Sequence, residues 1–396
     1  MSYLYKGIKK IIKLFIYNIS KIVPKNQNLY LFGSWFGNKF ADNTKYLYLE
    51  AMEFKNINAI WITKNPTVYK EMKQEGLNVL LNNSFKGIWA QLRCKVFFTS
   101  TGEYDLDEFL LGGALHFNLW HGIPIKKIMF DDLINFNSGE KHNRIVVFLV
   151  KFFSRRKNKL NSVLATSKTI QGIYESAFRI PKENIPIMAQ PRNNIFYTDK
   201  YNKYVDIPNE LLERKTILYM PTHRKEGKEK QDIDKILDLN GVNEFCEKYN
   251  FNFIIKQHYY HHKENVDVSE YSNIKNYNDI NIDTQVLLKY ADILITDYSS
   301  CFIDYLLLNR PIIFYAYDKK DYELSDREFY FNYKDITPGF HIEKRSDLLK
   351  ALFEIKKADA FEEDRQAVRK VFYDEESLKL DSGHLFELIK KNKVVS

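Results

Sequence analysis

Ile293-Leu-Ile-Thr-Asp-Tyr-Ser-Ser-Cys-Phe-Ile-Asp-Tyr305 decides how this chain is read. The apolar run from Ala291 to Thr296 predicts a strand buried on both faces, the kind found in parallel sheets. The run breaks at Asp297 into a turn that carries Ser299 and Ser300. It resumes as an apolar helix that stops near Arg310-Pro311. Two serines opening a helix can offer hydroxyls and unpaired N–H groups to one anion, and the dipole there favours negative charge. The same two serines serve equally well as plain helix caps.

Working outward, short apolar runs alternate with helical patterns along the whole chain. Strands are predicted at Leu29–Phe32, Ala59–Ile62, Val79–Leu81, Val96–Phe98, Phe117–Trp120, Val163–Ala165 and Ile185–Met188. A second set is predicted at Thr216–Met220, Phe251–Ile255, Ile274–Tyr277, Ile293–Thr296 and Pro311–Tyr315. This alternation is the signature of α/β architecture, and 396 residues exceed what one core usually supports. We therefore expect two doubly wound, Rossmann-like domains facing across a cleft, one over 25–200 and one over 205–375, with a terminal helix in 376–396.

The amino-terminal residues 1–24 read differently. Leu4, Ile8, Ile11, Ile12, Phe15, Ile19 and Val23 recur at three- and four-residue spacing, while Lys6, Lys9, Lys10, Lys13 and Lys21 mostly take the other faces. No acidic residue intervenes before Pro24, so this is a basic amphipathic helix. It fits an in-plane anchor on an anionic leaflet, or else a helix packed on its own domain with its lysines in water. Interrupting lysines and the lack of a small-residue cleavage site argue against a signal peptide.

A formal charge of +8 favours anionic partners without choosing among them. Cys94, Cys246 and Cys301 lie far apart, which argues against a disulfide framework or a thiolate metal cage. No apolar run is long enough to span a bilayer, so any membrane contact is peripheral.

Groups able to do chemistry collect at the predicted strand ends, where ligands of open parallel sheets bind. They are Ser34, Ser100, Thr101, His121, Ser167, Arg192, Thr222, Arg224, His258 and the Asp297 turn. His121, followed by the permissive Gly122, suits a general base acting on a hydroxyl; a lone histidine after a strand can also be structural. Arg192 and Arg224 can grip phosphate oxygens in forked geometry, Lys256 can add charge, and His258 can donate to a phosphate or a leaving group. His258, His261 and His262 lack the helix and carboxylate of a zinc site. Neither G-x-x-x-x-G-K-[ST] nor G-x-G-x-x-G is present, so phosphate would be held by positioning and charge. No cofactor is implied, and no residue pattern calls for a divalent cation.

Taken in order, several stretches resemble the CDP-glycerol glycerophosphotransferase family, the teichoic acid primases and polymerases of Gram-positive bacteria. They are Leu31 to Asn43, Trp120-His-Gly-Ile-Pro-Ile-Lys126, Pro191-Arg-Asn193, Met220-Pro-Thr-His-Arg224, Lys256-Gln-His258, and Thr296 to Ser300 continuing to Asp304-Tyr305 and Pro311 to Tyr315. The resemblance implies a GT-B arrangement and peripheral attachment to the cytoplasmic face of the bacterial membrane. It implies transfer of an alditol phosphate from CDP-glycerol, or another CDP-alditol, to a hydroxyl of a lipid-linked saccharide acceptor, with release of CMP. His121 would be the base, with His258 beside the donor. Arg224, Thr222, Lys256, Asp297, Ser299, Ser300, Arg192, Gly122 and Asp304 would make up the substrate-binding set. Where the family commonly has Gly-x-Pro-Arg-Asn-Asp, this chain has Ala189 and Asn194 at the ends of the motif.

Two other functions are compatible with the same residues. One is a GT-B glycosyltransferase using a nucleotide sugar for capsule or surface polysaccharide. The other is a non-catalytic polyanion binder, disfavoured because scattered charge has no need of paired serines, histidines and arginines at strand ends. Nucleic acid is not an expected partner; a homo-oligomer is compatible with the sequence.

Overall fold

The computed structural model describes residues 2–132, 160–222, 233–257, 267–318 and 328–391, omitting the side chains of 2–10. The chain forms two compact units. Unit 1 comprises Met1–His121, Met129–Asn194 and Tyr373–Ser396; unit 2 comprises Gly122–Ile128 and Ile195–Phe372. The division falls before the interval 200–205 expected from sequence. The loop at Thr198 and Asp199 already belongs to unit 2, where Lys289 Nζ donates to the Thr198 carbonyl at 3.2 Å and to Asp199 Oδ1 at 2.8 Å.

Unit 1 is built on strands β1 Asn26–Phe32, β2 Asn58–Thr63, β3 Val79–Leu81, β4 Cys94–Thr99, β5 Leu115–Asn118 and β6 Ser162–Val163. All pair in parallel in the order β3-β2-β1-β4-β5-β6. Unit 2 repeats the plan with β7 Lys215–Tyr219, β8 Phe251–Ile255, β9 Ile274–Asn276, β10 Ala291–Thr296, β11 Ile312–Tyr315 and β12 Phe340–Ile342, in the order β12-β11-β10-β7-β8-β9. Counted from its own first strand, each sheet therefore has the doubly wound order 3-2-1-4-5-6. Two parallel-sheet α/β domains are what the sequence led us to expect.

The central strands form because their apolar runs are buried on both faces. Leu31, Phe32, Ile62 and Phe98 of unit 1, and Leu218, Ile254, Leu294, Ile295 and Phe314 of unit 2, are shut off from solvent. Each such side chain contributes about 1.5–3 kcal/mol. The readings Phe117–Trp120 and Val163–Ala165 are displaced to Leu115–Asn118 and Ser162–Val163, and two larger differences stand out. Ile185–Met188 contributes only an isolated bridge, Ala165↔Ile187, because Pro186 has no N–H for a ladder. Conversely, β12 follows Gly339 as a three-residue strand too short to stand out by pattern.

Helix α1, Ser2–Ser20, is seated on its own unit through Leu14 and Tyr17, both buried. Gly112 N donates to Ser20 Oγ at 2.8 Å. A Cβ on Gly112 would lie 2.3 Å from that oxygen and 2.4 Å from the Tyr17 carbonyl, so only glycine admits this approach. The stripe of Ile12, Phe15 and Ile19, at 53%, 63% and 45% exposure, is left facing solvent. These are apolar positions of the sequence pattern. The residues after Tyr373 return to unit 1, where helix Ser382–Lys390 places Phe386 against Phe54 at 5.2 Å between ring centroids.

Candidate active site

In a 3-2-1-4-5-6 sheet, strands 1 and 4 are neighbours whose following connections run to opposite faces, leaving a crevice at their carboxyl ends. In unit 1 this point lies between the loops after β1 and β4. The register Leu31↔Phe97 and Phe32↔Phe98 brings the two strands to an end together. One buried carboxylate, Asp105, ties the loops. Its Oδ1 accepts from Phe36 N at 2.7 Å and from the Thr101 hydroxyl, and its Oδ2 accepts from Ser100 N at 2.8 Å and Thr101 N at 2.9 Å. Burial pushes the carboxyl pKa up, and these hydrogen bonds oppose the shift.

His121 stands beside this knot. Its Nδ1 lies 3.1 Å from the Ser100 carbonyl oxygen, which can only accept, so Nδ1 carries the proton and the Nε2 lone pair is left available. The imidazole packs against Trp120 and lies near Trp35, at 4.4 and 6.0 Å between centroids, while part of the residue remains exposed. Crowding by protein lowers its pKa from the usual 6.5. The Asp42 charge and the Ser100 bond oppose that shift, and Arg192 adds to it. Neutral imidazole therefore predominates at pH 7.

The backbone around the ring is unusually constrained. Trp35, Phe36, Asp42 and Trp120 all have positive φ, at 47°, 58°, 67° and 54°. Non-glycine residues rarely adopt this region, and such outliers gather at functional sites. Arg192 helps hold the arrangement: Nη1 donates to Asp42 Oδ1 and to the His121 carbonyl, both at 2.9 Å. Asn43 accepts from Arg192 N at 3.2 Å and donates to the Trp120 carbonyl at 2.9 Å. Sequence reasoning assigned Arg192 to phosphate; in the structure its Nη1 serves the histidine loop. Of the other candidates, Ser34 donates to the Lys39 carbonyl at 2.7 Å, and Ser167 caps a helix by accepting from Ile170 N at 3.2 Å.

Unit 2 repeats the pattern at its own switch point. Asp297, buried after β10, accepts from Thr222 N, after β7, at 2.8 Å and from Tyr298 N at 2.6 Å. Helix α2, Cys301–Tyr305, follows; Ser299 Oγ accepts weakly from Cys301 N at 3.4 Å, and Ser300 makes no side-chain cap bond. Both serines are partly exposed. Gly122 has φ 153°. Lys256 Nζ donates to the Tyr277 and Ile280 carbonyls, each at 2.7 Å, fastening the loop after β9. Asp304 is buried and accepts from Gln285 at 3.1 Å, joining two helices. Arg224 and His258 lie outside the described residues.

The Tyr333 hydroxyl donates to the Asp297 carbonyl at 2.9 Å. Tyr333 also lines a pocket of ≈ 700 Å³ with Phe314, Thr337, Gly339, His341 and Phe361. Among the described residues, no group of three or more His, Cys, Asp or Glu could hold a metal ion, and no helix is long and apolar enough to cross a membrane.

Sequence missed Asp105 because its principal partners are backbone N–H groups, one of them 69 residues away. A buried acid in a loop after a strand leaves no motif. The comparable Asp297 was found because it sits inside one.

Similarity to known proteins runs over nearly the entire chain. The chain is 27% identical to the teichoic acid glycerol-phosphate transferase of Staphylococcus aureus, covering 92% of this chain and 93% of that protein. It is also 27% identical to the teichoic acid poly(glycerol phosphate) polymerase of Bacillus spizizenii, covering 89% and 90%. In fold it matches a variant of the wall teichoic acid polymerase TagF with a TM-score of 0.76 at 22% identity, over 99% of this chain and 97% of that one. The profile of one family, described as CDP-Glycerol:Poly(glycerophosphate) glycerophosphotransferase, matches residues 15–382. The motifs at the strand ends, the paired parallel sheets and these matches agree, and the chain belongs to the CDP-glycerol:poly(glycerophosphate) glycerophosphotransferase family.

Proposed function

We propose that this protein transfers glycerol phosphate, or a related alditol phosphate, from its CDP ester to a hydroxyl of a lipid-linked saccharide or growing polymer. The observation that carries the mechanism is His121, neutral at pH 7 and held by Ser100 with Nε2 left to take a proton. The acceptor oxygen attacks the phosphorus that bears the alditol and passes its proton to Nε2. The bond from that phosphorus to the bridging oxygen breaks, and its electron pair leaves with CMP. Such a transfer needs placement and charge more than covalent help from the protein.

On this reading unit 1 handles the acceptor and unit 2 the donor. The Ser299 and Ser300 hydroxyls receive the pyrophosphate, and Arg224 and His258 complete the charge. The neighbouring pocket, with Phe314 and Phe361 as apolar walls and Thr337 and His341 as polar groups, has a size suited to the nucleoside. The exposed stripe Ile12, Phe15, Ile19, flanked by lysines, supports attachment of α1 to an anionic leaflet on the cytoplasmic side.

The test is direct. The protein is incubated with CDP-glycerol or CDP-ribitol and a lipid-linked disaccharide, and products are weighed. One added alditol phosphate per CMP released is expected. A product lengthened by a sugar with release of a nucleoside diphosphate would replace this reading with glycosyl transfer.

A further inference from the structure

The Asp105 carboxylate has no solvent exposure. Burying a charge this deeply is expensive unless donors surround it, and Asp105 has four: Phe36 N, Ser100 N, Thr101 N and the Thr101 hydroxyl. Three of the four lie on the two residues directly after β4. Ser100 is thereby held from both sides: its N–H by Asp105 at 2.8 Å, and its carbonyl by His121 Nδ1 at 3.1 Å. The fourth donor, Phe36 N, belongs to the left-handed loop that also carries Trp35, whose ring faces the imidazole.

We infer that Asp105 is a positioning residue for His121, clamping Ser100 so that its carbonyl selects the Nδ1–H tautomer and leaves Nε2 unprotonated for the acceptor hydroxyl. The inference rests on His121 being the base. A side chain that orients the partner of a catalytic histidine sets the fraction of enzyme in the working tautomer. Asparagine at 105 keeps the shape but loses the charge and turns one accepting oxygen into a donor facing N–H groups. The Ser100 peptide then loses its fixed plane and His121 its tautomer preference.

The experiment uses the full-length protein labelled with 15N-histidine, the His121 signals being assigned by their loss in His121→Gln. Wild type should show the Nδ1–H tautomer at neutral pH, and Asp105→Asn a mixture of tautomers. In the same variant kcat should fall at least about tenfold while KM for CDP-glycerol stays within about twofold, the pattern of a lost transition-state arrangement. An unchanged tautomer in folded Asp105→Asn, with His121→Gln inactive, overturns the role of Asp105 and leaves the base intact. Full turnover in His121→Gln removes the base reading and this role with it. If Asp105→Asn does not fold, Thr101→Val, which deletes one donor and spares the acid, takes its place. It should show partial tautomer mixing and a fall in kcat of about threefold; a spectrum identical to wild type overturns the inference.

Discussion

Arg192 Nη1 donates to the carbonyl oxygen of His121 at 2.9 Å, and the same nitrogen meets Asp42 Oδ1 at 2.9 Å. The side chains of the pair are 10% and 7% exposed, and removing one member leaves a buried charge unpaired. Arg192→Met should therefore lower stability by about 3–5 kcal/mol, read as a reduced midpoint in denaturant. Arg192→Lys keeps the charge without the fork and should fall between the two. A midpoint unchanged in Arg192→Met would show that the loop is held by other contacts.

His121→Ala should abolish CMP release while leaving CDP-glycerol binding largely in place. Crowding lowers the His121 pKa below 6.5, so the neutral base persists to lower pH than a free histidine would allow. The acidic limb of kcat/KM should accordingly be centred below pH 6.5, with no rise assignable to this group above it. A limb centred above 6.5 contradicts the assignment.

The two serines of the donor turn separate capping from binding. Ser300 makes no side-chain cap bond, so Ser300→Ala should leave thermal stability unchanged and raise KM for CDP-glycerol about tenfold, or ~1.4 kcal/mol. Asp297→Ala should behave differently. It strands the buried N–H groups of Thr222 and Tyr298 and should cost about 2–5 kcal/mol of stability. An unchanged KM in Ser300→Ala would return that serine to an ordinary surface position.

Helix α1 offers two opposite faces to mutate. Replacing Ile12, Phe15 and Ile19 together by serine should weaken binding to phosphatidylglycerol vesicles by well over about tenfold, with no loss of folding stability, because all three are exposed. Leu14→Ala, on the buried face, should cost about 2–5 kcal/mol of stability. Vesicle binding that survives the triple change places the lipid contact elsewhere.

Much of this was legible in the sequence. The strands Phe251–Ile255 and Ala291–Thr296 lie where the apolar runs put them, because strands buried on both faces announce themselves without any period. The chemistry of single residues was less legible. Arg192 meets a carboxylate 150 residues away, Lys256 binds carbonyls of a distant loop, and Asp105 is satisfied by backbone. Residue type told us that each could hold an anion or a cation. Only the fold shows which protein groups already claim those atoms.

The contact between Ser20 and Gly112 bears on how this enzyme would meet lipid. A helix pressed so closely on glycine, with Leu14 and Tyr17 locked beneath it, is no flexible leash. If its outer stripe lies along a bilayer, the orientation of the unit 1 strands relative to that bilayer is set as well. The openings after β1 and β4 would then look out at one constant height and angle. A lipid-linked acceptor of a given length would reach His121 or fall short of it, and the seating of one helix on one glycine would act as a ruler for the acceptor.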